Sequence, residues 1–345
     1  MTLAIAVLVA AAAEFVGPEP DVRDIHQAVR DDNLFRVVRI LAADPSAANA
    51  PLPAGKGFYP SPVHLAAEWN RVAVLRLLIA RGGDVNGPGR TWGAPLQHAA
   101  RWGSAEAADL LLRNGAELDI FSAVALGKRA AVGEFLGTAD RFGLARGVAN
   151  MKSDGPCYGQ TPLLNWAVFC GRVEMIELLV RYGADVNPCP SPAPTTDWGP
   201  LHEAAASDRP EVVEALLRHG ARLEDKDCDG FTPLHRAAAQ GRVRAAAILL
   251  KHGARLDNRE DWHAPRISDF QAAGDRLPMN TPLHSATDYG DPAMLALLLA
   301  HGADVNAVNA YGRTPLDIVT RRPPATTRRT TGSTPAGGPG GMPHA

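Results

Sequence analysis

The sequence predicts an all-α repeat solenoid, a stack of short helix pairs. Three observations carry that expectation. The strings SPVHLAAEWN (61–70), APLQHAARWG (94–103), GPLHEAAASD (199–208), TPLHRAAAQG (232–241) and TPLHSATDYG (281–290) share one pattern. ADLLLRNGAELD, IELLVRYGADVN, EALLRHGARLED and LALLLAHGADVN share a second, which follows the first. The interval between neighbouring copies returns to 33 residues, from 70 to 103 and again from 208 to 241. A fixed period of that length marks a repeat architecture.

Residues 230–257 show why each string makes a helix. Thr232 is a good N-cap, because its hydroxyl can accept a bond from an unpaired first-turn N–H. Pro233 follows at the first helical position, where its missing N–H costs nothing. Leu234, Ala237 and Ala238 form a short apolar face, and the alanines allow close approach of another helix. Gly241 suits the left-handed residue that ends a helix. Val243, Ala246, Ala247, Leu249 and Leu250 then recur at helical spacing, and Gly253 stops the second helix. Two such helices cannot bury their apolar faces alone, so the unit needs neighbours of its own kind.

With these residues in view, the chain resembles the ankyrin-repeat family, whose pattern is TPLHxAAxxG followed by LLLxxGAxxN at a period near 33 residues. The resemblance covers roughly 21–322. It implies short β-hairpin fingers between the helix pairs and a concave groove lined by fingers and first helices. It does not fix a function, because one fold hosts many.

The chain in order has three parts. Residues 1–20 stand outside the repeats: Leu3–Ala13 is an unbroken apolar run ending in three alanines. It fits a secretory h-region with a small-x-small cleavage site before Glu14, though no Lys or Arg precedes it; a frayed leader helix is the other reading. The protein is exported on the first reading and cytoplasmic on the second. The run is too short to span a membrane. Residues 21–322 are the repeat domain, and 323–345 form a disordered basic tail, rich in Arg, Pro, Gly and Thr.

Aligned on the residue that ends each first helix, the units fall at Asp32, Asn70, Gly103, Gly127, Gly171, Asp208, Gly241 and Gly290. That makes eight helix pairs. The first (24–45) buries Ile25, Ala28, Leu34, Val37, Val38 and Leu41. It keeps Gln27, Arg30, Asp31, Arg36 and Arg39 outward, as an end repeat requires. The unit at 118–139 comes nine residues early, so a finger is not expected there, and Phe121 replaces the usual His. A long irregular loop is expected next, over 143–160. In TPLLNWAVFCG, Asn165 takes the His position if Thr161–Pro162 shifts by one residue. The Pro-rich joint after it, 188–199, is four residues longer than standard, and the insertion at 258–280 is sixteen longer. Such insertions project from one face, often the binding face. A half-repeat follows, with a helix over 314–320 that Pro323–Pro324 prevents from being paired.

The chemistry is mostly structural. His64, His202, His235 and His284 sit in separate units, so they do not converge on a metal. In the resembled family this His bonds the local Thr and the loop backbone. His98 is shifted by one, with Gln97 in its place, and is expected to be more exposed. Four cysteines with no CxxC argue against a disulfide-dense fold and a ribbon-type zinc site. A Cys157–Cys189 disulfide is open if the protein is exported; free thiols are the alternative, and Cys170 reads as a packed small hydrophobe. GxSxG, HExxH and the P-loop lysine motif are absent, so no catalytic or metal residue and no cofactor is expected. A net charge of −2 gives no global pull toward nucleic acid.

The remaining signal is a surface. The position before each terminating residue carries Trp69, Trp102, Leu126, Cys170, Ser207, Gln240 and Tyr289. Trp69 and Trp102, on adjacent units and flanked by Glu68 and Arg101, make a candidate hot spot, since Trp and Arg dominate such sites. Finger aromatics Tyr59, Trp92, Trp198, Phe231 and Tyr311 either extend this stripe or pack between fingers and stiffen the array. The function expected is a non-enzymatic protein-binding scaffold, with an unidentified protein partner and neither nucleic acid nor a small-molecule substrate. The alternatives are a metal or enzymatic site on the 258–280 insertion, around Asp261, Trp262 and His263, or an exported structural envelope protein.

Overall fold

A computed structural model describes residues 25–51, 61–87, 93–153, 161–188, 198–227, 230–259 and 279–320. The leader, Tyr59, Trp92, Cys157, Cys189, Cys228, most of the 258–280 insertion and the tail lie outside the described residues.

The helices come in eight successive pairs: α1 (Ile25–Arg30) and α2 (Leu34–Ala43), α3 (Pro62–Glu68) and α4 (Val72–Ala80), α5 (Pro95–Arg101) and α6 (Ala105–Arg113), α7 (Ile120–Ala125) and α8 (Arg129–Asp140). A short helix, α9 (Ala145–Ala149), precedes α10 (Leu163–Phe169) and α11 (Val173–Arg181). Then come α12 (Pro200–Ala206) and α13 (Pro210–Arg218), α14 (Pro233–Ala239) and α15 (Val243–Lys251), α16 (Pro282–Tyr289) and α17 (Pro292–Ala300). The last helix, α18 (Pro315–Thr320), has no second helix among the described residues. Each first helix packs on the first helix of the next unit, and each second helix on the next second helix, except that α6 and α8 do not pack in this way.

The residue that ends each first helix is left-handed in all eight units. Their φ angles run from 49° at Asp208 to 77° at Gly290, with Asp32 and Asn70 at 52°. Only Gly, Asn and Asp adopt that conformation readily. The non-glycine residues give something back. Asn70 Oδ1 accepts from Ala107 N at 3.1 Å, and Asp208 Oδ1 from Ala245 N at 2.9 Å. Each thereby caps a first-turn N–H of the next unit's second helix.

Two hydrophobic clusters fill the stack. One runs from Ile25 to Ala116, the other from Ala100 to Ala303. Leu118 and Leu126 pack against both, so the seam falls beside the degenerate unit. That unit starts only six residues after α6, with Asp119 capping α7 through Phe121 N and Ser122 N. Phe121 is buried against the Trp166 ring.

Three expectations need correction. No strand forms among the described residues; one isolated bridge joins Lys152 and Pro162. The described finger tips are tight turns tied by side chains instead. Asp227 Oδ1 accepts from Phe231 N, and Asn309 Oδ1 accepts from Tyr311 N and Arg313 N. With the tip closed so quickly, the flanks are too short for a ladder. The stretch after Asp140 is not all irregular, because α9 forms inside it. His98 is not exposed but 3 % accessible: its Nδ1 meets Glu68 Oε2 at 3.1 Å and its ring stands edge-on to His64.

Candidate functional site

Three sets of inter-unit hydrogen bonds set the groove's geometry. The first uses the helix histidines. His64 Nδ1 accepts from Ser61 N, and its Nε2 donates to Gly93 O at 3.1 Å. His235 and His284 pair with Thr232 and Thr281 in the same way, and donate to Asn280 O and Arg313 O. His202 donates to Asp225 O and Phe231 O. Asn165 takes this role in its unit, donating to Trp198 O at 2.7 Å. The bond spans 29 residues at His64, His202 and His284, 33 at Asn165 and 45 at His235. The longer spans exceed the common one by the four and sixteen inserted residues, so the units on either side of both insertions keep one register.

His64, His202 and His235 are neutral at pH 7. Burial drives His64 down to about 3, helped by the charge of His98 and opposed by the Gly93 carbonyl. Burial likewise lowers His235 to about 4 and lowers His202. Among the described residues, no three His, Cys, Asp or Glu side chains gather as metal ligands would.

The second set joins the exits of the second helices. Asn86 Nδ2 donates to Gly115 O and its Oδ1 accepts from Glu117 N; Asn187 does the same with Gly220 and Arg222. Asn49 and Asn150 serve Gly82 and Asp84, and Gly183 and Asp185. The 3-10 turn Pro45–Asn49 and helix α9 each end on, or one residue before, such an Asn, which gives both extra elements a purpose.

The third set escaped sequence reasoning. The residue after the left-handed position reaches back to the carbonyl two residues before the same position in the preceding unit. Arg71 donates to Arg30 O, Ser104 to Glu68 O, Arg172 to Ala125 O and Arg242 to Ala206 O. Each bond satisfies a carbonyl that the end of a short helix leaves open. The recurrence of Arg at 71, 172, 209 and 242 was the signal for it.

On this frame the groove residues take their places. Trp69 and Trp102 are 40 % and 38 % exposed, each at the end of a first helix, and Tyr289 is 57 % exposed at the matching place. Glu68 is held by His98. Trp102 meets the edge of Phe169 at 5.8 Å, and the Arg101 guanidinium lies 4.4 Å from the Phe169 ring centre and 5.1 Å from that of Trp166. Units three and five therefore touch across the shortened unit between them. Trp198 is half-buried and stacked: Arg236 lies between it and Phe231, at 4.2 and 4.5 Å, and pairs with the buried Asp227 carboxylate at 2.6 Å. Tyr311 is exposed beside Arg313. Among the described residues no helix is long and apolar enough to cross a membrane.

Known proteins share this arrangement. Family models described as ankyrin repeats match residues 25–122 and 189–260 (three copies), 158–189 (one repeat) and 271–319 (many copies). A putative ankyrin repeat protein of fowlpox virus, FPV031, is 28% identical over 170 residues, which are 48% of this chain and 49% of that protein. The palmitoyltransferase AKR1 of Lachancea kluyveri is 30% identical over 177 residues, 49% of this chain and 23% of the enzyme. Mouse protein phosphatase 1 regulatory subunit 27 is 36% identical over 67 residues, 19% of this chain and 41% of the subunit. The match thus spans about half or less of each curated relative. Among solved structures, the human ASB11 ankyrin repeat domain aligns over 76% of this chain and 93% of its own, at 24% identity and a TM-score of 0.42. Helix pairs, left-handed joints and family models agree, and the chain belongs to the ankyrin-repeat family.

Proposed function

We propose that this chain is a non-enzymatic scaffold that binds a protein partner along the face formed by the ends of its first helices. Residues 21–322 act as one binding unit, flanked by the leader and the basic tail. One observation carries the reading. Trp69 and Trp102 stand at the same position on adjacent units and stay about two-fifths exposed in an array that buries nearly every other large apolar side chain of its first helices. Half-exposed Trp beside Arg is the chemistry of interface hot spots. Tyr289 continues the row at the far end, and Arg101 lies beside Trp102; Trp198 and Glu68 contribute as supports, given their contacts within the array. Trp92 belongs to the same proposal from its sequence position alone. A phosphatase regulatory subunit among the relatives supports protein binding. Mechanistically, a preformed surface loses little entropy on docking, so modest contacts suffice.

The test is affinity capture from the native host, with wild type beside the Trp69→Ala/Trp102→Ala double variant. The variant is expected to keep the wild-type melting profile and to lose the partner. Full partner recovery by a folded double variant would remove the reading's main support.

A further inference from the structure

The middle of the groove gathers several guanidinium groups around Cys170 and Glu203. Arg101 lies over Phe169, and Cys170 Sγ sits 3.8 Å from Arg101 O. Arg209 Nη1 covers Gly171 so closely that a Cβ there would overlap it. Arg172 reaches the same place from below, its Nε on Ala125 O at 2.9 Å. Arg101, Arg172 and Arg209 all pull on the Cys170 thiol, although burial still pushes it up to about 11. Arg101, Arg209 and Arg236 likewise pull on Glu203, whose carboxyl burial holds above its ordinary range.

Arg209 differs from its counterparts. Arg71, Arg172 and Arg242 each donate to a carbonyl of the preceding unit. Arg209 Nε is buried without a hydrogen-bond partner, as Arg71 Nε is, but no other nitrogen of the Arg209 guanidinium makes a hydrogen bond among the described residues, whereas Arg71 Nη2 does. A buried donor without a partner is costly, and it sits in a cluster of like charges beside an aromatic pair. A carboxylate accepting from this guanidinium would relieve both.

The geometry points to an acidic segment of a protein partner as the occupant: carboxylates on Arg101, Arg172 and Arg209, and an apolar side chain on the Trp102–Phe169 pair. This rests on the groove reading above and names the chemistry of its partner. Guanidinium forks match carboxylates in two parallel bonds. The chain's own tail is a poor occupant, because residues 321–345 hold four arginines and no acid. A long nucleic acid fits poorly too: the charge is one compact cluster, and the second helices carry Glu174, Glu177, Glu211 and Glu214.

The test uses the full chain and a phage-displayed library of random 16-residue peptides. Selected peptides are expected to be enriched in Asp and Glu with a Leu or aromatic residue among them. Their affinity, read by fluorescence anisotropy, is expected to fall about tenfold or more on Arg101→Glu or Arg209→Glu, and with rising salt. Arg244→Glu, on the exposed second-helix face, is expected to leave it unchanged. The salt series needs no variant, so it stands even if a substitution unfolds the array. Peptides without acidic bias, or affinity indifferent to salt and to both Arg variants, overturn the proposal. So does an empty selection, or tighter binding of a 16-nucleotide single strand than of any peptide. If non-acidic peptides are selected and Trp102→Ala still abolishes them, the groove stands and only the acidic partner falls. If binding ignores both the arginines and Trp69 and Trp102, both readings fall.

Discussion

Replacing Gly241 with Ala tests the joint on which the whole register depends. Gly241 ends α14 at φ +65°. An L-residue there costs about 1–2 kcal/mol of backbone energy. A second cost is local. A Cβ on Gly241 would lie 2.5 Å from Tyr289 Cε1 and 2.8 Å from Cδ1, inside van der Waals contact. Tyr289 is more than half exposed, so its ring can swing away, at about 1 kcal/mol, the low end of overpacking costs. Gly103 is the control: φ is +73° and nothing lies within 4 Å of a Cβ. Gly103→Ala should show the backbone cost alone, and Gly241→Ala about 1 kcal/mol more. On an array of this size that is roughly 2–4 °C of additional Tm loss. Gly241→Val should be worse than either, because a β-branched side chain resists positive φ more strongly. The decisive assay is urea unfolding of Gly241→Ala and Tyr289→Ala singly and together. Removing the ring should return the Gly241→Ala cost to the Gly103→Ala level, a coupling of about 1 kcal/mol. Equal losses at the two glycines, or no coupling to Tyr289, would refute the steric half of the argument. An unchanged Gly241→Ala protein would refute all of it.

Two further outcomes follow from buried polar groups. His64 and His235 hold folded values of about 3 and 4, below the ordinary 6.5, and His202 is shifted the same way. The unfolded chain therefore binds protons first, so stability is full above pH 6.5 and is lost as pH falls toward 4. Each of His64 and His235 should cost about 2 kcal/mol between pH 7 and pH 5; urea midpoints at the two values check this, and a flat profile would refute it. Arg236→Ala strands the Asp227 carboxylate, whose side chain is fully buried, and should cost about 3 kcal/mol in the same assay. Wild-type stability in that variant would mean the pair is not what holds the finger.

What the sequence made legible was whatever repeats. The left-handed joints at Asp32, Asn70 and Asp208 could be placed without a glycine because the spacing placed them, and only Asn or Asp could stand in. The substitution of Asn165 for a histidine was legible for the same reason. Failures came where a residue's partner sits in another unit. His98 looked displaced and exposed because its true partners, Glu68 and the His64 ring, are 30 and 34 residues away. Helix α9 was hidden in a run with Gly147 and no apolar period, and its justification, delivery of Asn150 to Gly183 and Asp185, is again a cross-unit bond. The Trp102–Phe169 contact crosses the shortened unit; the spacing marked that unit as short, but not which side chains would meet across it.

That shortness joins the fold to the candidate site. In a regular array each unit separates its neighbours, and groove side chains on units three and five would stay apart. Here the intervening unit follows α6 after a six-residue link, and α7 spans only Ile120–Ala125. Its Leu126 is half-buried at the position where its neighbours carry Trp102 and Cys170. Arg101 and Trp102 therefore reach Phe169 and Trp166 directly, and Arg209 closes over Gly171 from the other side. The same irregularity that divides the apolar core into two clusters at Leu118 and Leu126 thus gathers aromatic rings and guanidiniums from three units into one patch. The insertions do not disturb it, because the His and Asn bonds keep the first helices on either side in register. Lengthening α7 by one turn should separate Trp102 from Phe169 and dissolve the patch while each helix pair still folds. Loss of peptide binding with retained helicity is the outcome expected; unchanged binding would show that the patch does not depend on the short unit.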